Sequence, residues 1–534
     1  MKKNKSKIIS ALYIALTAVI ILLLIPREGK FRYGFFEGKP WQYGLLTAPF
    51  DFPVYTDPAD AAQDSIPLSD RTIQEGERIV DRGDVVNSRI FRVLSSLKNE
   101  YETQTFGKRR STIIFIGQML LIFTIFACFG LYLVRFNHKI FYKRHNLIFL
   151  LLCILTVCIT TQMFVKYTDL SIYILPLAII PIIIRTFFDS HSALFAHLIT
   201  VLICSLCALF PYEFLMIHII GGIVVIFSLK ELTQRSHLFK SALFVTISYI
   251  VVYTSLVMLQ EGDLSKLNHS MYIFFGINFI LIMFSYVLIY ILEKLFGYLS
   301  PITLVELSNI NHPLLKRLSE LAPGTFQHSM QVSILAAEAS ERIGADTQLV
   351  RTGALYHDIG KMLNPAFFTE NQQGVNLHEK LRFEESAAIV ISHVTDGQKL
   401  ADKAGLPNQI INFIITHHGK SKTKYFYNSF RNAFPDTPVD DTLFTYPGPN
   451  PFTKETALLM MADSVEAASR SLKEYTDESI KALIDRIIDS QISDGLLNVA
   501  PITFRDITHI KEVFLEHLKT IYHTRVAYPE LKVN

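Results

Sequence analysis

The stretch GALYHDIGK, Gly353 to Lys361, sets an imidazole beside a carboxylate at His357 and Asp358, just ahead of a glycine. Other stretches of the C-terminal half carry the same chemistry at His328, His393, the pair His417 and His418, and Asp463. Placed on a helical period, each falls on an apolar face. His328 shares its face with Val332, Leu335, Ala336 and Ala339; His357 and Asp358 share theirs with Val350 and Ala354. His393 follows Ser386, Ile389 and Val390, His417 and His418 follow Ile410 and Ile414, and Asp463 lies on the side of Leu459 and Met460. One histidine on such a face is ordinarily a hydrogen-bonded core residue. Burying all of these positions without a common partner would leave several polar groups unsatisfied. A shared cation removes that difficulty. Imidazole nitrogens with carboxylate oxygens suit zinc, iron or manganese rather than calcium, and a carboxylate next to a histidine can bridge two ions. Two divalent metals would bring the pKa of a bridging water near neutrality and hold phosphoryl oxygens for in-line attack. The expected reaction is phosphoester hydrolysis, with Asp358 as a catalytic group.

Lys361 comes one helical turn after His357 and could stabilise charge on a substrate phosphate as the bond breaks; an ordinary surface lysine is the alternative. GKSKTKYFYNSF places Lys420, Lys422 and Lys424 beside Tyr425, Phe426 and Tyr427, a mixture suited to phosphates and stacked bases, or equally to a solvated loop over an aromatic core. Glu466 and Arg470 lie one and two turns after Asp463. They could support that carboxylate or form an exposed pair at four-residue spacing, and Arg470 is also a candidate for substrate contact.

The elements that must hold these groups are helical. From about Ser308 onward helical patterning dominates, with Asp346 placed to cap QLVRTGALYH, Pro407 to open NQIINFIITHH, and Gly360 or Gly419 to close. Ahead of them the chain is built for lipid. Half of the 534 residues are hydrophobic and 40 are phenylalanine, so a single soluble domain is a poor description. MKKNKSK is followed by an apolar run from Ile8 to Ile25, longer than a signal-peptide core and without a small-residue cleavage site, which reads as a retained anchor. Seven more spans are expected near Ser111–Val134, Asn146–Val165, Leu170–Ile184, Ser192–Phe210, Phe214–Leu229, Ser241–Leu259 and Met271–Ile291. Basic residues gather in alternate loops: Arg135, Lys139, Lys143 and Arg144, then Arg185, then Lys230, Arg235 and Lys240, against only Lys166 and Lys266 between them. That puts the N-terminus and everything after about Leu292 inside, and residues 27–110 outside.

The fold class is therefore all-α: a polytopic helical membrane block, made of one anchor and seven spans, precedes an all-helical cytoplasmic domain, with a small mixed domain outside. The expected divisions are 1–26 for the N-terminus and anchor, 27–110 for the outer domain, 111–292 for the membrane block, 293–324 for a helical linker and 325–534 for the catalytic domain. A net charge of +3 is too small to argue for a nucleic-acid polymer as partner. Cys128, Cys153, Cys158, Cys204 and Cys207 all fall in apolar runs, so no disulfide framework is available outside. Asp189, His191, His197 and His218 are ionisable groups near or within the spans. The first two belong to a loop edge and the others to contacts within the bundle, rather than to a transport path.

The order H…HD…H…HH…D resembles the HD-domain metal phosphohydrolases. The surrounding words LAPGTFQHS, ALYHDIGK, FFTENQ, ISHVTDG, THHG, YPGP and MADSVEAASRS are similar to those of the bacterial seven-transmembrane HD family that hydrolyses cyclic di-AMP, and the likeness extends to the anchor and the membrane block. The resemblance implies hydrolysis of cyclic di-AMP to linear pApA at a centre of two divalent transition metals, iron or manganese, in a multi-pass protein of the bacterial cytoplasmic (inner) membrane. Carried over residue by residue, it gives His328, His357, Asp358 and Asp463 to one metal. Asp358, His393 and one or both of His417 and His418 go to the other, with Asp358 as the bridge. Phe368, Glu370, Asn371 and Tyr446 become pocket walls by resemblance alone. Family members carry a much larger outer domain, which leaves a ligand for residues 27–110 unidentified; a homodimer is likewise left open. Other nucleotides are the first alternative, although Tyr446-Pro447-Gly448 departs from the GYP signature of enzymes acting on cyclic di-GMP. A nucleotide receptor without turnover is the second, and it has no chemical need of every metal position.

Overall fold

The computed structural model describes residues 2–25, 31, 33–41, 43–55, 72–105, 108–168, 170–229, 234–372, 374 and 376–522. Residues 27–30 and 56–71 of the outer domain, and Lys230 of the third basic loop, lie outside these. The chain divides into two compact units, Met1–Ile291 and Leu292–Asn534.

The first unit opens with α1, Lys2–Leu24. A small domain follows in which β1 (Leu46–Thr47) and β4 (Arg78–Val80) pair antiparallel, as do β2 (Phe52–Pro53) and β3 (Thr72–Ile73). α2, Ser88–Thr105, covers them. Its Leu94 and Leu97 enter two small cores built on Trp41, Val80 and Val86 and on Phe52 and Ile73. The apolar block then runs through α3 (Lys108–Phe136), a short α4 (His138–Tyr142), α5 (Arg144–Tyr167), α6 (Ile179–Phe187), α7 (Ser190–Ser205), α8 (Pro211–Ser228), α9 (Arg235–Glu261), α10 (His269–Met283) and α11 (Ser285–Phe296). Six of the described helices, counting α10 and α11 as one, are long and apolar enough to cross a membrane, and two shorter apolar segments, Ile172–Phe187 and Ser190–Ser205, accompany them. Large apolar side chains on these helices, such as Leu131, Phe227 and Leu259, face outward rather than into the protein, as lipid-facing residues do. The protein is a multi-pass membrane protein.

Two expected spans are not single helices. The segment Leu170–Ile184 begins as a 3₁₀ turn at Ile172–Ile174 and becomes α-helical only at Ile179. Pro176 lacks an N–H and drives Leu175 into an extended conformation (φ −72°, ψ 126°), so no helix can run through it. Met271–Ile291 tightens at Phe284, whose N–H reaches Leu281 O at 3.1 Å, three residues back. Of the intramembrane ionisable groups, Asp189 caps α7 by accepting from Ser192 N at 2.9 Å. His197 and His218 sit inside the bundle, joined through His197 Nε2 and the His218 carbonyl at 2.8 Å and through His218 Nδ1 and the Tyr249 hydroxyl at 3.1 Å. All five cysteines are free.

The second unit continues from the last turn of α11 through α12 (Pro301–Leu307), α13 (Pro313–Leu321), α14 (Pro323–Ile343), α15 (Thr347–Tyr356), α16 (Phe383–Lys403), α17 (Asn408–Thr416), α18 (Lys424–Ala433), α19 (Lys454–Ser469), α20 (Asp477–Ser493) and α21 (Phe504–Tyr522). Several proline-opened starts and side-chain caps mark the boundaries: Pro301, Pro313 and Pro323 occupy first turns, and Asp346 accepts from Leu349 N at 3.0 Å to start α15. Of its apolar cores, two carry the elements around the histidines. One joins α14, α15 and α19 to α20 and α21. The other packs α12 and α13 against α15, α17 and the turn that follows His357. Residues 293–324, expected as a linker, are thus part of the same compact unit as the helices that carry the histidines.

Candidate metal centre

His328 projects from the first third of α14, while His357 and Asp358 occupy the end of α15 and the tight turn beyond it. His393 comes from the middle of α16, His417 and His418 from the end of α17, and Asp463 from α19. Three of these rings turn Nδ1 back onto the carbonyl three residues earlier in the chain. Nδ1 of His357 faces Ala354 O at 2.6 Å, that of His393 faces Val390 O at 2.5 Å, and that of His417 faces Ile414 O at 2.8 Å. A carbonyl only accepts, so Nδ1 carries a proton in each ring. Nε2 is then the nitrogen turned to the centre, and the one that a metal would take.

These nitrogens and the carboxylates fall into two groups. His328, His357, Asp358 and Asp463 each offer an atom within 4.8 Å of all the others, and so do His393, His417 and His418. Asp358 stands between them. Its Oδ2 lies 3.2 Å from His357 Nε2 and 3.7 Å from His328 Nε2, and its Oδ1 lies 3.4 Å from His393 Nε2 and 3.6 Å from His417 Nε2. One carboxylate therefore presents an oxygen to each group.

Whether the residues fit metal ions can be tested on the atoms themselves. His357 Nε2 and Asp358 Oδ1 are buried and make no hydrogen bond. His393 Nε2 and His417 Nε2 approach to 3.1 Å although both rings use Nδ1–H for a backbone carbonyl, so two lone pairs face each other. Such a pair is unfavourable unless a cation lies near both. The donor set of imidazole and carboxylate in a dry site is what a divalent transition metal takes.

His328 is oriented differently. Its Nδ1 meets Glu466 Oε2 at 2.5 Å, and Arg470 holds the same carboxylate through Oε1. Glu466 and Arg470 thus form a chain behind His328, with Arg470 directed at Glu466. Such carboxylate–histidine pairs fix ring orientation and raise ligand basicity, and losing one typically costs about 10- to 100-fold in metal affinity. Glu466→Ala should weaken Mn(II) binding by about ten-fold or more while leaving the helical circular dichroism intact. An unchanged dissociation constant in a metal titration would remove Glu466 from the site.

Charge is distributed unevenly. Burial opposes ionisation of Asp358 and Asp463, but nearby His357 with Lys361 for the first, and His328 with His357 for the second, hold both carboxyls well below the usual range. Burial also opposes charge on His357, and Asp358 and Asp463 outweigh it, pushing the imidazole up to about 10. Burial, then neighbouring His393, pushes His418 down to about 3, and burial with His418 and His357 holds His417 well below its ordinary value. In the metal-free protein a proton on His357 therefore balances the carboxylates. A metal takes only the neutral ring. Its folded pKa lies above neutral, and His328, between Asp463 and Glu466, is also raised, so loading at pH 7 should release protons and affinity should fall as pH is lowered. Calorimetry in buffers of different ionisation enthalpy measures this directly; no proton release would overturn the charge assignment.

Around the centre, Lys361 Nζ lies 2.8 Å from both Asp358 Oδ2 and Glu370 Oε1 and 5.0 Å from the centre of the Phe368 ring. Phe368 meets His393 edge-on, and Tyr446 stacks on His418 at 4.2 Å between ring centres. These residues adjoin the metal groups. Asn371 does something else. Its Oδ1 accepts from Gly324 N at 2.9 Å and Thr325 N at 3.2 Å, capping α14, which Ala322 cannot do, so its amide serves the helix rather than a pocket wall. Lys424 and Tyr425 are not brought to the centre: Lys424 binds Ser490 and Asp494 of α20, and Tyr425 is 74 % exposed. Lys420 is anchored by its backbone, N to Asn450 Oδ1 at 2.8 Å, and Lys422 pairs with Asp441. Thr325, unmarked in the sequence, donates to Glu370 Oε1 at 3.0 Å and accepts from Asn371. Its position three residues before His328 was the available signal.

Residues 112–300 match the family described as a 7TM receptor with intracellular HD hydrolase, and residues 325–468 match the HD domain, which implies use of divalent metal. The chain is 30 % identical over 491 residues to the cyclic-di-AMP phosphodiesterase PgpH of Listeria monocytogenes serotype 1/2a (strain 10403S), covering 89 % of this chain and 66 % of that protein. It is 31 % identical over 473 residues to the protein of the same name from Bacillus subtilis (strain 168), covering 86 % and 65 %. It therefore spans just under two thirds of the length of these relatives. The crystal structure of the L. monocytogenes PgpH HD domain in complex with cyclic-di-AMP is 43 % identical, with a TM-score of 0.39, and covers 40 % of this chain and 100 % of that one.

Proposed function

We propose that the chain is a member of the seven-transmembrane HD family and a membrane-anchored phosphodiesterase that hydrolyses cyclic di-AMP to linear pApA with two divalent transition metals, iron or manganese. The observation that carries this reading is the Asp358 carboxylate, which offers one oxygen to each of two metal-competent groups. The substrate follows from the names of the two relatives above. Bound metals would polarise phosphoryl oxygens and acidify water between them.

The protein's own groups do the rest. The backbone-bonded Nδ1 atoms keep the rings in one tautomer before any ligand arrives. Lys361 stays protonated, since Asp358 and Glu370 outweigh the effect of burial and raise its pKa. Its Nζ can donate to a phosphoryl oxygen and oppose the charge that grows in the transition state. Glu370, itself held by Thr325, keeps that ammonium from folding away from the site. Phe368 and Tyr446 supply flat apolar surface for an adenine. Under the positive-inside pattern the second unit faces the cytoplasm and residues 27–110 face outward.

The test is turnover by the detergent-purified full chain loaded with Mn(II), offered cyclic di-AMP, cyclic di-GMP and pApA in parallel. Metal-dependent formation of pApA from cyclic di-AMP in preference to the other reactions is the expected result. Tight binding of cyclic di-AMP without turnover in metal-replete protein would make the chain a receptor, and no binding would reopen the choice of substrate.

A further inference from the structure

The helices that deliver two of the metal-competent pairs both reach back to one short segment, residues 297–308. From α15, which leads into His357 and Asp358, the Tyr356 hydroxyl donates to Leu307 O at 2.7 Å, and Thr352 Oγ1, 2.8 Å from Gln348 O of its own helix, also lies 3.2 Å from Leu304 O. From α17, which leads into His417 and His418, Gln409 Nε2 donates to Gly297 O at 3.0 Å. Tyr356 is fully buried and adjoins His357 in sequence. The two halves of the centre are therefore tied to a common strap.

That strap is clamped to the last turn of the final apolar helix, which ends at Phe296. Glu293 is buried there, and its carboxylate accepts from Ser300 N at 2.5 Å through Oε1 and from Thr303 Oγ1 at 3.0 Å through Oε2. Starting α12 does not require this, because Ser300 Oγ already accepts from Thr303 N. What the carboxylate adds is a tie between residues 293–296, the last turn of α11, and the start of α12. Removing it would strand the buried Ser300 N–H and free the half-buried Thr303 hydroxyl, so the carboxylate favours this geometry of the turn.

We propose that Glu293 is a positioning residue: through residues 297–308, Tyr356 and Gln409, the end of the final apolar helix sets the spacing between the two halves of the metal centre and so tunes hydrolysis. This rests on the two-metal reading above. The experiment uses the detergent-purified full chain loaded with Mn(II), as wild type, Glu293→Gln, Glu293→Leu and Tyr356→Phe. The last removes only the hydroxyl at the far end of the path. Electron paramagnetic resonance reports the coupling between two Mn(II) ions without any substrate. Kinetics per metal-loaded chain and thermal melting accompany it.

The expected result is an altered coupled spectrum and a fall in kcat of about five-fold in Glu293→Gln and Tyr356→Phe, with KM within about two-fold. A lower melting temperature with wild-type spectrum and wild-type kcat per loaded chain would make Glu293 merely structural and overturn the proposal. Should Glu293→Leu fail to fold, the two milder variants still decide. A wild type that couples two Mn(II) ions but leaves cyclic di-AMP intact would sink the substrate reading alone, and the spectra would still judge the clamp. A wild type without a second Mn(II) would sink both.

Discussion

Asp358→Asn is expected to lower turnover of cyclic di-AMP by about a thousand-fold or more and to cost the protein at least one of its metals. The replacement keeps the shape of the side chain and removes its charge. It also turns an amide N–H₂ toward either the His357 and His328 nitrogens or those of His393 and His417, all within 3.7 Å of the native oxygens. Among the described residues, no other carboxylate is placed against nitrogens of both groups within 4 Å. A metal's stabilisation of transition-state charge is worth several kcal/mol, and at about 1.4 kcal/mol per factor of ten its loss reaches the stated size. Elemental analysis of the purified variant beside its kinetics separates the causes. A variant retaining full metal content and activity within ten-fold of wild type would show that the carboxylate does not join the two groups.

Gly360→Ala should be nearly as damaging, for a reason of packing. A Cβ at Gly360 would lie 1.8 Å from His393 O, 2.6 Å from Gly397 N and 2.8 Å from His393 C. All three are backbone atoms of α16, so no side-chain rotation relieves the overlap. Either α16 or the turn carrying Asp358 must move, and His393 Nε2 and Asp358 Oδ1, now 3.4 Å apart, are pulled apart with them. Overpacking of this kind costs about 1–3 kcal/mol and occasionally more, which for a unit of this size lowers the melting temperature by up to about 10 °C. A misplacement of about 1 Å at reacting groups costs about a hundred-fold in rate. Gly397→Ala is the comparison, since its Cβ would chiefly meet the movable Ile414 side chain at 2.9 Å and Gly360 N at 3.2 Å. Equal melting temperatures for the two variants would contradict the argument.

How far the site could be read in advance differed from residue to residue. Each histidine and aspartate of the centre sits on a helical face whose other members are apolar, and burial follows from that pattern directly. Arg470 and Glu466 were also within reach, because four-residue spacing on a helix makes them neighbours, and they do pair. Lys424 and Tyr425 were not. Their mixture of charge and aromatic surface suits a nucleotide, but α18 turns Lys424 onto α20 and Tyr425 into solvent. In FFTENQ, neighbouring residues took separate tasks, with Glu370 holding Lys361 and Asn371 capping a helix some 46 residues earlier. Nothing local distinguishes them.

The sequence by itself determined which residues of the centre are buried, where most helices start, most of the apolar spans, and the chemical kind of the centre, because hydrophobic period, capping and ligand type are local properties. Tertiary structure alone decided the partners. His328 meets a carboxylate 138 positions away, one oxygen of Asp358 faces His417, and the strap at residues 297–308 joins two helices that neighbour each other only after folding. The physical reason is range. Periodicity reports which way a side chain points from its own helix, whereas the atom it points at is set by how distant helices pack.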